Sequence, residues 1–321
     1  MLKFSRLVVI SSPQSSRAAA YAKKVIGALQ QFATAHDAEL VELWIEDTPY
    51  LASVRMVRNY LQDGDLVVGA CGDGINQVAL QGAFTSGREV TLACLPLGNS
   101  NDFATALNGH VKDPTKILAS PTIDFRPLKL LINHRTRFYV AAYATLGITT
   151  VAVDWLNATE TRNARRRLAK LPPMAALRFG QLGGMSRAID ALRFPPFRRD
   201  CLVHHDDSVG FFLAPAAKGL LRPSGGGNFL TRDDFFFHFD NVRHKAPGHG
   251  WLGKSLVAGR WVTIGLPGLI SDDEQLEFLR PADMEIHLGG ETVRLEQVQT
   301  IGAARTARAI KILAARRSLQ T

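Results

Sequence analysis

The first 125 residues alternate short apolar runs with amphipathic patterns of helical period. The apolar runs predict strands at Leu7–Ile10, Leu40–Ile45, Leu66–Cys71 and Val90–Leu95, and the amphipathic patterns predict helices at Ser16–Phe32, Tyr50–Leu61 and Ile75–Phe84. Strands and helices that alternate at this spacing indicate a parallel sheet with helices on its faces. Ligands of such α/β domains bind in loops at the carboxyl ends of the strands. We therefore expect a first domain over residues 1–125, with any site at that edge.

The pattern after Ile123 changes to short apolar runs separated by turn residues. It predicts strands at Leu128–Ile132, Phe138–Tyr143, Val209–Leu213, Phe235–Phe239, Trp261–Ile264, Leu276–Leu279 and Met284–Leu288. This spacing is typical of an antiparallel β domain, which we expect over residues 126–295. The final segment Gln299–Leu319 is rich in Ala and Arg, and this composition predicts a helix.

Much of the positive charge of the chain lies in one segment. The chain has 321 residues and a net charge of +9, and its length suggests about two domains. Residues 160–200 contain ten basic and three acidic side chains, and two Pro-Pro pairs within them break any long helix. Such a segment suits an anionic membrane surface, nucleic acid or an acidic substrate. A solvated helix face that binds nothing specific is the alternative.

The cysteines and the hydropathy of the chain predict a cytoplasmic protein. Cys71, Cys94 and Cys201 are an odd number with no paired spacing, which favours a reducing compartment. The apolar run in Met1–Ile10 is too short for a signal peptide. No uncharged apolar stretch approaches the roughly 20 residues that a membrane span needs. Any contact with lipid is therefore expected to be peripheral.

The first chemical motif is a Gly-Asp-Gly loop, Gly72 to Gly74, between a predicted buried strand and a predicted helix. Glycines let a phosphate approach the backbone closely, and the N-terminus of the following helix favours an anion. An acid in such a loop suits a cation that bridges phosphates, or the proton of an attacking hydroxyl. The alternative is an ordinary tight turn in which Asp73 caps the helix.

The second motif follows the fourth predicted strand and has the same order of strand, polar loop and helix. It runs through Pro96, Gly98, Asn99, Ser100, Asn101, Asp102, Phe103 and Ala104. Taken alone, this segment would be an ordinary helix cap. Because it follows a strand next to the one that carries the first motif, the two loops are expected to converge on one crevice.

These two segments resemble the diacylglycerol kinase catalytic-domain family, which includes sphingosine and ceramide kinases and is related to NAD kinases. The first family motif is roughly GGDGTxxEVxNG, and residues 71–82 have CGDGINQVALQG. The second is roughly PxGTxNDFAR, and residues 96–105 have PLGNSNDFAT. The segment that begins at Ser12 is similar to the family's NPxSG loop, and Glu291 lies where the family has a DGE triplet.

The resemblance implies a nucleotide domain followed by a β-sandwich, with residues 296–321 returning to the first domain. It implies ATP and Mg²⁺, with Asp73 and Glu291 as candidates for the base and for metal-linked roles. Asp102 would orient its loop or contact the lipid hydroxyl. The nucleotide would be lined by Ser12, Gly72, Gly74, Gly98, Asn99, Ser100 and Asn101.

The sequence departs from the family pattern at several positions. Ile75 replaces a Thr, Asn99 replaces a Thr, and Gly289 replaces the Asp of DGE. The acid of the first motif is absent, with Gln77 or Val78 near its place. Asn99 can still form hydrogen bonds, whereas Ile75 and Gly289 have no polar side chain. Such changes point to another substrate class, another nucleotide geometry or a lost activity.

The expected function is therefore transfer of the γ-phosphate of ATP to a hydroxyl of a neutral lipid. Ceramide or another lipid is slightly favoured over diacylglycerol, because the departures fall at positions that ordinary diacylglycerol enzymes keep. A kinase of a soluble acceptor such as NAD, and an inactive homologue that binds lipid or nucleotide, remain alternatives. The basic segment would suit peripheral contact with the anionic inner face of a membrane. Nucleic acid is not an expected partner, and the sequence predicts no oligomeric state.

Overall fold

The described residues form two sheets with helices packed on the first and between the two. A computed structural model of the chain describes residues 3–13, 18–46, 48–98, 101–109, 111–142, 144–146, 197–199, 202–204, 209–213, 237–241, 267–268, 275–289 and 291–315. The basic segment at 160–200 lies outside these residues except for one strand, and so does the predicted strand Trp261–Ile264.

The first sheet contains the strands predicted near the start of the chain. Its strands are β1 (Arg6–Ser11), β2 (Glu39–Trp44), β3 (Leu66–Gly69), β4 (Thr91–Cys94), β5 (Thr122–Phe125) and β16 (Ile310–Leu313). The helices are α1 (Ala18–Thr34), α2 (Tyr50–Tyr60), α3 (Asp73–Ser86), α4 (Asp102–Asn108) and α5 (Pro114–Leu118). The strand order is β2-β1-β3-β4-β16-β5. All neighbouring pairs are parallel except β16 and β5, which are antiparallel.

The second sheet is antiparallel, as the predicted β-sandwich requires. Its described strands are β6 (Leu128–Ile132), β7 (Arg135–Val140), β8 (Ala144–Leu146), β9 (Phe197–Arg199), β10 (Leu202–His204), β11 (Val209–Leu213), β12 (Phe237–Asn241), β13 (Pro267–Gly268), β14 (Gln275–Leu288) and β15 (Glu291–Arg305). The main order is β13-β12-β11-β8-β14-β15-β6-β7, and β9 joins β14 to β10. The predicted fold class, a parallel α/β sheet followed by an antiparallel β domain, is thus confirmed, with β5 as an antiparallel addition to the first sheet.

The predicted helix at Gln299–Leu319 is wrong. The described part of this segment belongs to two strands, β15 and β16. Ile310 and Ile312 are buried while Lys311 between them is exposed, which is the period-two pattern of a strand. Pairing with β4, β5 and β6 satisfies the backbone of the segment and outweighs the helix propensity of its Ala and Arg residues. A second difference is that the two strands predicted between Leu276 and Leu288 are one irregular strand, β14.

The core explains why the first strands are continuous apolar runs. Val8 and Ile10 of β1 face α2 and α3, and Leu7 and Val9 face α1, so the sheet is covered on both sides. The larger apolar cluster continues through α2 and α3 into the second sheet, where it includes Phe138. The two sheets therefore share one core across these helices. Among the described residues, no helix has the length and apolar character that crossing a membrane requires.

Candidate nucleotide site

The two glycine loops leave the same edge of the first sheet because β3 and β4 are parallel neighbours. Backbone pairing continues past the ends of both strands: Leu95 N–H donates to Gly69 O at 2.9 Å, and Leu97 N–H donates to Cys71 O at 3.2 Å. Beyond these bonds, the backbones of Gly72 and Gly98 lie in contact. A Cβ on Gly72 would be 3.2 Å from Gly98 Cα, and a Cβ on Gly98 would overlap Gly72 Cα. The close approach of the loops therefore requires glycine at position 98.

The second loop is held by its own asparagine. Gly98 N–H donates to Asn101 Oδ1 at 2.6 Å, and Asn101 Nδ2 donates to Gly98 O at 2.7 Å. Asn101 has φ of 53°, in the left-handed region where Asn is more tolerated than most residues. Its side chain is occupied within the loop and does not cap α4.

Asp73 joins the first loop to the helix that follows the second. It is the first residue of α3 and is 8% exposed. Its Oδ1 accepts a hydrogen bond of 3.1 Å from Phe103 N–H, in the first turn of α4. A carboxylate at a helix N-terminus is favourable because the unpaired N–H groups there carry partial positive charge. Asp73 thus supplies from α3 the cap that Asn101 does not provide.

Glu291, from the second sheet, lies next to the start of α3. It begins β15 and pairs with Leu288 of β14, so the chain reverses between these two residues, with Gly289 in the turn. A Cβ on Gly74 would overlap Glu291 Oε1 and lie 3.3 Å from its Cδ. The carboxylate of Glu291 therefore lies against the first turn of α3, beside the residue that follows Asp73.

Gly289, in the same turn, packs on α3. Its φ is 55°, and a Cβ there would be 3.1 Å from Gln77 Cβ and 3.4 Å from Asp73 O. A side chain at this position would be strained by its backbone and would press on the helix. The replacement of the family's Asp by Gly is therefore accommodated by a close packing of the turn against α3.

The structure places the remaining predicted residues unevenly. Ser12 follows β1, and its carbonyl lies 4.0 Å from Cys71 Sγ at the start of the first loop. Asn99 and Ser100 lie outside the described residues. Asp102 begins α4, and its side chain is not among those described. Ile75, which replaces a family Thr, is 7% exposed and packs in the large apolar cluster.

Three buried polar residues near the site were missed by the sequence reasoning: Tyr50, Gln77 and Gln81. Gln77 Nε2 donates to Tyr139 O at 2.7 Å and to Tyr50 Oη at 2.9 Å, and Gln77 Oε1 accepts from Ala141 N–H at 2.8 Å. Tyr50 Oη donates in turn to Gln81 Oε1 at 2.7 Å. Burial raises the pKa of Tyr50, which keeps this hydroxyl protonated as a donor. The available signal was two glutamines one helical turn apart on an otherwise apolar helix.

The site offers carboxylate oxygen donors for a hard cation. No cluster of three or more His, Cys, Asp or Glu side chains suited to a metal occurs in the described part of the chain. Mg²⁺ bound together with a nucleotide needs only one or two carboxylates, because phosphates and water complete its shell. Asp73 on α3 and Glu291, which lies against the first turn of α3, are compatible with that arrangement.

Comparison with known proteins gives one family and one fold. Residues 6–130 match the model of the diacylglycerol kinase catalytic domain. A crystal structure of a "putative diacylglycerol kinase" from Bacillus anthracis str. Sterne is similar with a TM-score of 0.57 and 14% identity, covering 99% of this chain and 100% of that chain. A crystal structure of a diacylglycerol kinase from the same organism has a TM-score of 0.55 and 13% identity, with coverage of 99% and 100%. No curated protein sequence matches significantly. The family match confirms the resemblance predicted from the two motifs, and the structural matches extend the fold over the chain.

Proposed function

We propose that this chain is an ATP-dependent lipid kinase that phosphorylates a hydroxyl of a neutral lipid, because residues 6–130 match the model of the diacylglycerol kinase catalytic domain. The observation that carries the proposal is the convergence on the first turn of α3. Gly72 and Gly98 lie in backbone contact there, Asp73 connects the two loops, and Glu291 arrives from the second sheet. Phosphoryl transfer needs positioning and charge stabilisation more than covalent chemistry, and this arrangement suits both.

The glycine loops would hold the nucleotide. Phosphates can approach a backbone without side chains, and the N–H groups at the start of α3 carry the partial positive charge that favours an anion. Ser12, which lies beside the first loop, would line the same crevice. The nucleotide-lining set of the proposal is Ser12, Gly72, Gly74, Gly98, Asn99, Ser100 and Asn101.

The carboxylates would act on the acceptor side of the reaction. Asp73 and Glu291 are the candidates for accepting the proton of the attacking lipid hydroxyl, and Asp102 would orient its loop or contact that hydroxyl. Asp73 and Glu291 are also the residues that would hold Mg²⁺, with Asp73 as the first candidate. When bound, the ion would neutralise charge on the phosphate oxygens.

The proposed acceptor follows from the departures from the family motifs. Ceramide or another lipid other than diacylglycerol is slightly favoured by the departures at Ile75, Asn99 and Gly289. The acceptor would reach the site by peripheral contact of the protein with an anionic membrane. A soluble acceptor such as NAD is the second candidate, motivated by the relation of the family to NAD kinases. A homologue that binds lipid or nucleotide without turnover is the third.

Transfer of labelled γ-phosphate from ATP to lipids in mixed micelles tests the proposal. The acceptors are diacylglycerol, monoacylglycerol, ceramide and sphingosine, with NAD as a soluble acceptor in a separate reaction. We expect one lipid to be labelled. In Asp73→Asn, labelling should fall by about 10²-fold or more, because Asn cannot accept a proton or hold a cation in the same way.

The Asp73→Asn variant keeps an oxygen that can accept the hydrogen bond from Phe103 N–H, so its melting temperature should stay close to that of the wild type. Labelling of NAD alone would replace the lipid by a soluble acceptor. No labelling by folded protein, together with retained nucleotide affinity, would show a binding protein instead of an enzyme.

A further inference from the structure

The buried amide of Gln77 connects the two sheets directly behind the proposed catalytic carboxylates. It is 0% exposed and lies one helical turn after Asp73 on α3. Its amide group forms three hydrogen bonds, to Tyr139 O, Tyr50 Oη and Ala141 N–H. Two of these partners are backbone groups at the end of β7, which is the last strand of the second sheet in its main order. Gln77 therefore satisfies groups of a strand that has, among the described residues, no neighbouring strand on that side.

The same residue also touches the turn that carries Glu291. A Cβ added to Gly289 would lie 3.1 Å from Gln77 Cβ, so Gln77 packs closely against this glycine. Glu291 begins the strand after that turn. A single side chain of α3 thus contacts the catalytic turn with its Cβ and the end of β7 with its amide.

The sheet closes this connection into a ring. β8 follows the segment that Gln77 holds, and its first residue, Ala144, pairs with Leu288 immediately before the turn. From Gln77 the path runs to Ala141, along the chain to Ala144, across the ladder to Leu288, and back through Gly289 to Gln77. Each step is a hydrogen bond, a short piece of backbone or a van der Waals contact. Gly289 is part of this ring, so the ring ties the turn to α3 through Gln77.

We infer that Gln77 is a positioning residue for phosphoryl transfer, which acts by holding the Gly289–Glu291 turn in place relative to Asp73. The inference rests on the proposed kinase function for its catalytic consequence, while the positional effect stands on geometry alone. No hydrogen bond joins Gln77 to the described residues of either glycine loop, so nucleotide binding should not depend on it. Its loss should affect the rate of the chemical step, because misplacing a reacting group by about 1 Å costs up to roughly 100-fold in rate.

Gln81 provides a matched control on the same helix. It is 3% exposed, and its Oε1 accepts from Tyr50 Oη at 2.7 Å and from Tyr139 N–H at 3.3 Å. It thus bonds to the same tyrosine and the same strand, but it lies one turn farther from Gly289. Gln77→Met and Gln81→Met each replace a buried amide by an apolar side chain of similar length, and both should lower stability.

The experiment compares steady-state kinetics of the two variants with the lipid that the wild type phosphorylates. We expect Gln77→Met to lower kcat by about 10- to 100-fold with the KM for ATP within about threefold of wild type. Gln81→Met should keep kcat within about threefold at a temperature where both variants are folded. Equal losses of kcat in both variants, or an unchanged kcat in folded Gln77→Met, would overturn the inference. If Gln77→Met does not fold, Gln77→Glu keeps the length and the acceptor for Ala141 N–H, and it should show the loss of kcat instead.

Hydrogen exchange of the peptide spanning residues 286–293 separates this inference from the proposed function. It needs no substrate, so it can be measured even if the wild type phosphorylates none of the acceptors. We expect faster exchange of this peptide in Gln77→Met than in Gln81→Met, because only the first variant opens the ring. Equal exchange in the two variants would overturn the inference, whereas an inactive wild type with faster exchange in Gln77→Met would overturn only the proposed function.

Discussion

At the scale of single residues, the geometry of the site depends on glycines, which have no side chain. Glu291 can lie on the first turn of α3 because position 74 has no Cβ, and the two loops can touch because positions 72 and 98 have none. The adjacent polar contacts are then made by residues with fixed partners, such as Asp73 with Phe103 N–H. A small substitution at Gly74 should therefore disturb catalysis more than it disturbs the fold.

Gly74→Ala tests this expectation. The new methyl group would occupy the place of the Glu291 carboxylate, so we expect phosphoryl transfer to fall by at least about 10-fold. Alanine in a helix restricts the unfolded chain, and the free energy of unfolding should stay within about 1 kcal/mol of wild type. The measurements are the labelling assay and urea denaturation.

Gly27→Ala in α1 is the control, because a Cβ there would have no described atom within 4 Å apart from its own helix backbone and chain neighbours. It should leave activity unchanged and raise the free energy of unfolding by about 0.5–1 kcal/mol. Full activity in Gly74→Ala would contradict the placement of Glu291.

At the scale of elements, α3 is positioned by its crossing with α2. A Cβ on Gly82 would lie 2.5 Å from Val57 Cγ1 and 2.7 Å from Val57 Cβ, so the two helices meet at this glycine. Val57 is fully buried. Since Asp73 and Gln77 lie on α3 as well, the crossing also helps to set the position of the site.

Gly82→Ala should separate the two helices and lower the free energy of unfolding by about 1–3 kcal/mol through overpacking. Adding Val57→Ala removes the opposing methyl groups. The double variant should therefore lose less stability than the sum of the two single variants, by roughly 0.5–3 kcal/mol. Urea denaturation of the wild type, the two single variants and the double variant measures this difference in the free energy of unfolding. Additive losses would show that the helices do not meet here.

Some helices and strands could be predicted from the sequence, and others could not. The strands and helices up to Leu95 were predictable, because buried parallel strands are continuous apolar runs and the loops between them contain glycine. The segment from Gln299 was not, since its local propensity favours a helix and its actual state depends on pairing with β6, β4 and β5, which are distant in sequence.

The candidate site also contains residues that the sequence could predict and residues that it could not. The meeting of Asp73 and Glu291 at the first turn of α3 was predictable, because each lies in a segment that resembles a family motif. The ring through Gln77 was not, because its partners Tyr139 and Ala141 lie more than 60 positions away and their contribution is a backbone group. No local sequence pattern predicts which strand a buried glutamine will bind.

At the scale of the whole molecule, the first sheet is completed by a strand that follows the second sheet in the chain. β16 lies between β4 and β5, and its residues Ile310, Ile312 and Leu313 are buried. The stability of the nucleotide site should therefore depend on residues that are far from it in sequence.

Ile312→Ala is expected to lower the free energy of unfolding by about 2–5 kcal/mol, since Ile312 is fully buried where it pairs with Leu92 and Ile123. Lys311→Ala, next to it on the exposed face, should change stability by less than about 0.5 kcal/mol. Urea denaturation followed by the fluorescence of Trp44, with the other tryptophans replaced by phenylalanine, would report on the first sheet. Equal effects of the two variants would show that β16 does not hold this sheet together.

The position of β16 also has a consequence for the protein while it is being made. On the ribosome, β4 has no neighbour on one side from the time it emerges until residues 310–313 have been translated. At about 5–20 residues per second this interval lasts on the order of ten to forty seconds. During that time a buried apolar strand has an open edge, which is the type of surface that nascent chains use in misassembly and that chaperones protect. The nascent first sheet acquires its full set of strands only after most of the second sheet has been synthesised.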